Sequence, residues 1–257
     1  MSIVTFTTDF GDADGYVGAM KGVVLSRSRG STLVDVCHNV PRHDIAAGAF
    51  ALVQAAPYFP PGTIHVAVVD PGVGGSRAEV IVVAKNHIFV GPDNGLLTLA
   101  APKPDAVFAI ESSAFRRSPA SATFAGRDVF AAAAGLLAAG APPEDAGRLL
   151  AGLQPLAPRT PLPANVAGIL HVDHFGNVIT SLKAGSVPAG TKQLLINAGE
   201  TGATFTWGKT FGDVDVGGFV AYEGSTGFIE LAVRQGSAAR TLNAAGHQTV
   251  QWEAISA

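Results

Sequence analysis

The sequence predicts an α/β amino-terminal domain with a central, largely parallel sheet, followed by an all-β, barrel-like carboxyl-terminal domain. Three observations carry that prediction. Short apolar runs alternate with helical patterns over the first ~150 residues, the rhythm of a layered α/β structure. A stretch without periodicity, punctuated by Pro155, Pro158, Pro161 and Pro163, then interrupts the chain. Beyond it helical patterns nearly vanish, and strand-like runs are separated by glycine-bearing turns. The expected segments are an α/β domain over residues 1–154, a linker over 155–165 and a β domain over 166–257.

Each element has a local reason. Ile3 to Thr7 alternates toward β, and Gly15 to Arg27 carries a helical pattern. Val34 to Cys37 is a short strand. Asp44 is a good N-cap for a helix running to about Tyr58, which Pro57, Pro60 and Pro61 end. His65 to Val69 is a β-branched run suited to a buried central strand. Asp70 stops it and Pro71-Gly72 turns the chain. Glu79 to Lys85 and His87 to Val90 read as paired strands, Asp93-Asn94-Gly95 as a turn and Leu96 to Ala101 as a short helix. Ala106 to Ile110 is another strand, and Arg127 to Ala139 an alanine-rich helix with Asp128 near its start. In the β domain the expected strands are Ala167 to Val172, Val178 to Leu182, Gln193 to Asn197, Thr204 to Trp207, Phe219 to Tyr222, Phe228 to Val233 and Thr249 to Ile255.

Composition narrows the partners. Of 257 residues 47% are hydrophobic and 14% charged, which describes a compact, rather apolar globular chain. The net charge is −3, and the 17 basic residues are scattered, with no cluster beyond Arg116-Arg117. Nucleic acid and anionic membrane are therefore poor partners. The single cysteine, Cys37, sits in an apolar context and reads as a buried structural thiol in a reducing compartment. The first residues lack a basic and apolar leader pattern, and no apolar run reads as a membrane span, so a cytoplasmic protein is expected.

Several familiar chemistries fail on context. Thr8-Asp9-Phe10-Gly11 has the letters of a kinase metal motif but no glycine-rich loop or HRD stretch before it. Asp9, Asp12 and Asp14 lack the spacing and closing glutamate of a calcium loop. Gly72-Val73-Gly74-Gly75 lacks the lysine and hydroxyl of a phosphate loop, and no GxSxG elbow occurs. The seven histidines (38, 43, 65, 87, 171, 174 and 247) form no zinc-ligand spacing, so no metal is expected, and isolated strand histidines are usually structural. What remains is Asp9 just past a first strand, placed to accept from a ribose diol, and Asp70 at the carboxyl end of a central strand, where open α/β sheets bind ligands. Arg77 is near enough to fold back onto Asp70. A tight turn held by an ion pair explains 65–77 equally well, and a hairpin turn explains Asp173-His174-Phe175-Gly176-Asn177.

Together, TTDFG (7–11), DVCHNV (35–40), VVDPGVGGSR (68–77), GPDNGLL (91–97), TFAGRDVF (123–130), DHFGN (173–177) and VRQGSA (233–238) resemble the S-adenosylmethionine hydrolases, or SAM hydroxide adenosyltransferases, relatives of the fluorinase and chlorinase. Each motif alone is weak; seven in order are specific. The resemblance implies a homotrimer with active sites between subunits, and attack by water or hydroxide at C5′ of S-adenosylmethionine to give adenosine and methionine. No cofactor is implied. Asp9 would hold the ribose hydroxyls, Phe124 would contact substrate, and Asp70 and Arg77 would position and polarise the water. Asp173 and Ser225 would meet the methionine end. Phe175, Asn177 and Phe211 would hold the adenine, with backbone near Val233 and Gln235. The halogenating relatives carry tyrosine at the position of Asp70, which favours hydrolysis here.

One departure matters. The hydrolase pattern has histidine in TFHGRD, where this chain has Ala125. Alanine cannot hydrogen-bond to water, so the third member of the water-positioning set is missing. Ala125 stands either for a His→Ala variant made to trap substrate or for a natural member with altered chemistry; the intact Asp70 and Arg77 favour the first. The expected enzyme binds S-adenosylmethionine and hydrolyses it slowly. A non-catalytic S-adenosylmethionine- or adenosine-binding protein and a halide-dependent adenosyl transferase are the alternatives. Arg234, where the family usually has asparagine, is a second departure, expected to matter little because backbone makes the contact.

Overall fold

The structure, a computed structural model, describes residues 2–156, 162–246 and 248–256. Two units divide the chain, Met1–Ala157 and Pro158–Ala257. Of the expected linker prolines, Pro158 and Pro161 lie outside the described residues, as does His247.

The first unit is built on a six-stranded sheet. Its strands are β1 (Ile3–Thr8), β2 (Thr32–Cys37), β3 (Ile64–Val68), β4 (Glu79–Ala84), β5 (His87–Pro92) and β6 (Ala106–Ala109), in the order β2-β1-β3-β5-β4-β6. The β2-β1-β3-β5 portion is parallel, while β4 runs antiparallel to both β5 and β6. All five residues of β3 are buried, as are Val4 to Thr8 of β1. Strands covered on both faces read as unbroken apolar or β-branched runs, which is why these two stand out in the sequence. Helices α1 (Tyr16–Arg27), α2 (Ile45–Ala55) and α3 (Ala131–Ala138) supply the cover. One apolar cluster joins Phe6, Val66 and Val68 to Met20, Val129 and Phe130; the other joins Ala67, Val69 and Phe89 to Ala49, Leu52 and Leu96. Asp44 caps α2, its carboxylate accepting from the Ala47 amide at 2.9 Å.

Two expectations are corrected here. Leu96 to Ala101 is a series of turns, not a helix. Leu96, Leu97, Ala100 and Ala101 are drawn into the apolar cluster under α2, and the segment's backbone bonds are Thr98 to Gly95 at 3.2 Å and Ala101 to Leu97 at 3.0 Å. Cys37 is half-buried, because β2 is the edge strand and presents an incompletely covered face.

The second unit is a closed seven-stranded barrel in the order β10-β11-β12-β8-β7-β13-β9. Its strands are β7 (Val166–Val172), β8 (Val178–Lys183), β9 (Thr191–Ala198), β10 (Thr201–Trp207), β11 (Phe219–Glu223), β12 (Phe228–Val233) and β13 (Thr249–Ser256). Closure leaves no free sheet edge. Leu194, Ile196, Phe205, Ile229 and Leu231 fill its interior. A helix that the sequence reading lacks, α4 (Ala238–Leu242), follows β12; Ser237 accepts from the Arg240 amide at 3.2 Å, and Asn243 ends it in a left-handed conformation.

Inside the sheet, His65 is hydrogen-bonded through Nδ1 to Thr5 at 2.8 Å and through Nε2 to His87 at 3.2 Å, and stacks on Phe89. Burial, then the nearby His87, pushes the His65 imidazole down to about 3. Burial likewise lowers His87, with Lys85 adding to it. The His65 ring is therefore neutral in the fold well below about pH 6.5, where the unfolded chain takes up protons, and His87 is shifted in the same direction. The stabilisation from His65 is complete above that pH and declines as pH falls toward 3, and the lowered His87 contributes with the same sign. Melting temperature should drop between pH 6.5 and 4.5, and His65→Gln should flatten that slope in a calorimetric pH series.

Candidate active site

Parallel pairing of β1 with β3 sets Thr8 opposite Val68. Asp9 and Asp70 therefore leave the carboxyl edge of the sheet side by side. They line one cavity of about 300 Å³ together with Phe10, Asp14, Tyr16, Arg42, His43, Val73 and the 123–126 segment. Asp9 is positioned by the loop before α2: its Oδ2 accepts from the His43 amide at 2.9 Å. His43 itself has φ +65°, an uncommon value for a residue with a side chain.

Asp70 is gripped from behind the cavity. Arg77 Nε donates to both carboxylate oxygens, at 3.1 and 3.0 Å, and Nη2 donates to Oδ2 at 2.5 Å. The Asp70 side chain is 5% exposed and that of Arg77 12%. Burial alone would lower the Arg77 pKa, but the bonds and charges of Asp70 and then Glu79 hold it above the usual guanidinium value. The loop between them needs a glycine at one place, Gly74, with φ +78° and the Ala122 carbonyl 3.0 Å from where a Cβ would stand. Asn94 steadies the strand end by donating to the Val69 carbonyl at 2.9 Å. The ion-paired turn and the cavity-facing carboxylate are thus the same structure.

The opposite wall is the 123–126 segment. Gly126–Phe130 is a π-helical turn leading into α3, a widened geometry often met at functional sites. Its anchor is Asp128, 0% exposed. That carboxylate accepts from Arg127 Nε and Nη2 at 2.7 Å, the Ser121 amide at 2.8 Å and Arg117 Nη1 at 2.8 Å. Arg127 foremost holds its pKa far below the ordinary carboxylate value. Phe124 packs edge-on against Phe10 and Tyr16, with the Arg127 guanidinium 4.8 Å above its ring. Ala125, 5% exposed, contributes only a methyl group to the cavity wall.

The remaining candidates lie in the barrel. Asp173 closes the β7–β8 hairpin: Oδ1 accepts from the Phe175 and Asn177 amides, and Oδ2 from the Asn177 carboxamide at 2.8 Å. Gly176, at φ +83°, is required there because a Cβ would stand 2.1 Å from Ser237 Oγ. Asn177 is buried, whereas the Phe175 ring is 75% exposed. Phe211 packs edge-on against Tyr222, whose hydroxyl donates to Glu230 at 2.8 Å. Burial raises the Glu230 pKa, opposed by the Tyr222 bond and assisted by the charge of Asp173. Ser225 is exposed in the β11–β12 turn; Val233 is buried at the end of β12, and Gln235 is exposed with φ +56°. Arg234 donates to the Val214 carbonyl at 2.8 Å. In the first unit, then, Asp9, Asp70, Phe124 and Ala125 share one cavity with Arg77 behind it; in the second, Asp173, Phe175 and Asn177 share one turn.

The SAM hydroxide adenosyltransferase N-terminal domain family matches residues 4–147, and the corresponding C-terminal domain family matches 167–251. The chain belongs to the SAM hydroxide adenosyltransferases. It is 40% identical to the (R)-S-adenosyl-L-methionine hydrolase of Thermus thermophilus, over 94% of this chain and 96% of that one. A fluorinase from Nocardia brasiliensis is a more distant relative, 30% identical over 97% and 96% of the two chains. The crystal structure of an uncharacterized conserved protein from Thermotoga maritima superposes with a TM-score of 0.86 at 32% identity, covering 97% of this chain and 99% of that one.

For this SAM hydroxide adenosyltransferase, sequence reasoning missed Phe10, Tyr16, Arg42 and His43 as cavity residues. Their signal was positional, since both β1 and β2 end at the carboxyl edge where open sheets bind ligands. Among the described residues no group of three histidine, cysteine or acidic side chains is arranged to hold a metal ion, and no helix is long and apolar enough to cross a membrane. The buried Asp128 gives a direct test of the wall. Asp128→Asn should lower unfolding free energy by about 3 kcal/mol, read by urea denaturation, because two arginines lose their shared counter-charge.

Proposed function

We propose that the chain hydrolyses S-adenosyl-L-methionine to adenosine and L-methionine. The observation that carries this reading is the pairing of Asp9 and Asp70 in one cavity, in a chain whose curated relatives include named S-adenosyl-L-methionine hydrolases. A volume of about 300 Å³ suits a nucleoside-sized group. Asp9 holds one oxygen on His43 and offers the other to a ribose diol. Asp70 then faces C5′. A water oxygen forms the new bond to C5′ while the C5′–S bond breaks, its electron pair staying on the sulfur of methionine. The water's surplus proton passes to Asp70 and from there to solvent. Because the sulfonium departs neutral, the step needs alignment of water more than acid catalysis, and no metal or cofactor.

Phe124 flanks the reacting carbon, while a neighbouring subunit supplies Asp173 and Ser225 to the methionine end and Phe175, Asn177, Phe211 and backbone near Val233 and Gln235 to the adenine. A homotrimer in the cytoplasm completes the proposal; sedimentation should give three times the chain mass of 26.1 kDa.

Ala125 makes this form slow. Incubation with S-adenosylmethionine, followed by chromatography, should yield adenosine and methionine in equal amounts. Ala125→His should raise the rate by about 10²- to 10⁴-fold, and Asp70→Asn should lower it comparably. Dialysis against EDTA should leave the rate unchanged. No adenosine from either form, or halogenated deoxyadenosine when chloride or fluoride is supplied, would contradict the proposal.

A further inference from the structure

Arg77 has a donor left over after it grips Asp70, and that donor is not idle. Nη1 donates to Glu79 Oε1 at 3.1 Å. The second oxygen of Glu79 accepts from Arg116 Nη2, and Arg116 Nε donates to the Ile110 carbonyl at 3.1 Å. Four charges of alternating sign therefore run in single file from the cavity outward: Asp70, Arg77, Glu79 and Arg116. The first three side chains are 5%, 12% and 14% exposed, and Arg116 is 33% exposed. The outer end is itself tied down. The neighbouring Arg117 donates its amide to the Asp128 carbonyl at 2.8 Å and its guanidinium to the Asp128 carboxylate at 2.8 Å. Glu79 lies on β4, so the file is referred to the sheet as well as to the loop.

We infer that Glu79 and Arg116 are positioning residues for the Asp70–Arg77 pair, fixing the plane of the Arg77 guanidinium and through it the carboxylate that aligns the attacking water. The inference rests on the hydrolytic reading above. Its physical basis is the fork geometry of arginine. With Nη1 anchored on Glu79, Nε and Nη2 have one orientation in which to meet Asp70. Without Glu79 the guanidinium can turn about its last side-chain bonds, and Asp70 turns with it. Because this chain has Ala125 in place of a hydrogen-bonding side chain, Asp70 has no imidazole at that wall to hold it instead. An ordinary stabilising ion pair would affect melting and leave turnover per folded molecule alone. A positioning role adds a loss of turnover per folded molecule to any loss of melting temperature.

The experiment is adenosine release from S-adenosylmethionine by Glu79→Gln, Arg116→Gln, Arg116→Lys and the Glu79→Gln/Arg116→Gln double variant, each in the present chain and in the Ala125→His form. Expected is a fall in kcat of about tenfold or more for Glu79→Gln and Arg116→Gln, with KM changed by less than about twofold. Arg116→Lys should recover part of the loss, since it restores the charge on Glu79. The double variant should be no slower than the worse single variant, since the residues act in series. If Glu79→Gln does not fold, the Arg116 pair decides alone. A kcat within about twofold of the parent in folded variants would overturn the inference while leaving the hydrolytic reading intact. No adenosine from either parent form would instead remove the hydrolytic reading, and this inference with it.

Discussion

The parallel pairing of β1 with β3 is the constraint on which the rest of the first unit depends. Two strands packed side by side, buried on both faces and ending at Thr8 and Val68, deliver two carboxylates to one edge of the sheet. Neither carboxylate needs an unusual loop to meet the other. The loops decide only what each one does next: Asp9 is tethered by the backbone before α2, and Asp70 is tethered by a guanidinium. A shift of one residue in that pairing would offset them along the strands and exchange side chains between the two apolar clusters.

The second theme is how an apolar chain keeps its few charges at work. With 14% charged residues, this molecule concentrates several of them in two networks at one cavity. One runs from Asp70 to Arg116, the other surrounds Asp128 with two arginines and a backbone amide. Removing charge from water costs several kcal/mol per ion unless partners compensate, so such networks add little net stability. What they supply is orientation. The aromatic group of Phe10, Tyr16 and Phe124 has the complementary part, shaping a wall that a planar or cationic group can approach.

Much of this was legible from the residues. Buried strands announced themselves as β-branched runs, Asp44 as a cap and Asp70 as a strand end. Other features were hidden for physical reasons. Leu96 to Ala101 has helical composition but folds as turns packed under α2, so tertiary contacts overrode propensity. The helix after Ser237 was signalled by its cap and by Asn243, yet five residues carry too little periodicity to read. Glu79 looked like an ordinary first residue of a strand; Arg77 is its near neighbour in sequence, but Arg116 comes from a separate loop that only the fold brings to it. Asp173 shows the converse. Its carboxylate is largely engaged by its own turn, so the sequence pattern that marks it is explained in good part by local structure.

The central claim is that Asp9 and Asp70 bracket the ribose of an adenosyl group, one at the diol and the other at C5′. A crystal structure of the protein soaked with adenosine tests it most directly. The account predicts both ribose hydroxyls on the Asp9 carboxylate and the 5′ carbon turned toward Asp70, in the cavity walled by Phe124 and Ala125. Adenosine bound elsewhere, or in that cavity with its diol facing Asp70, would contradict it.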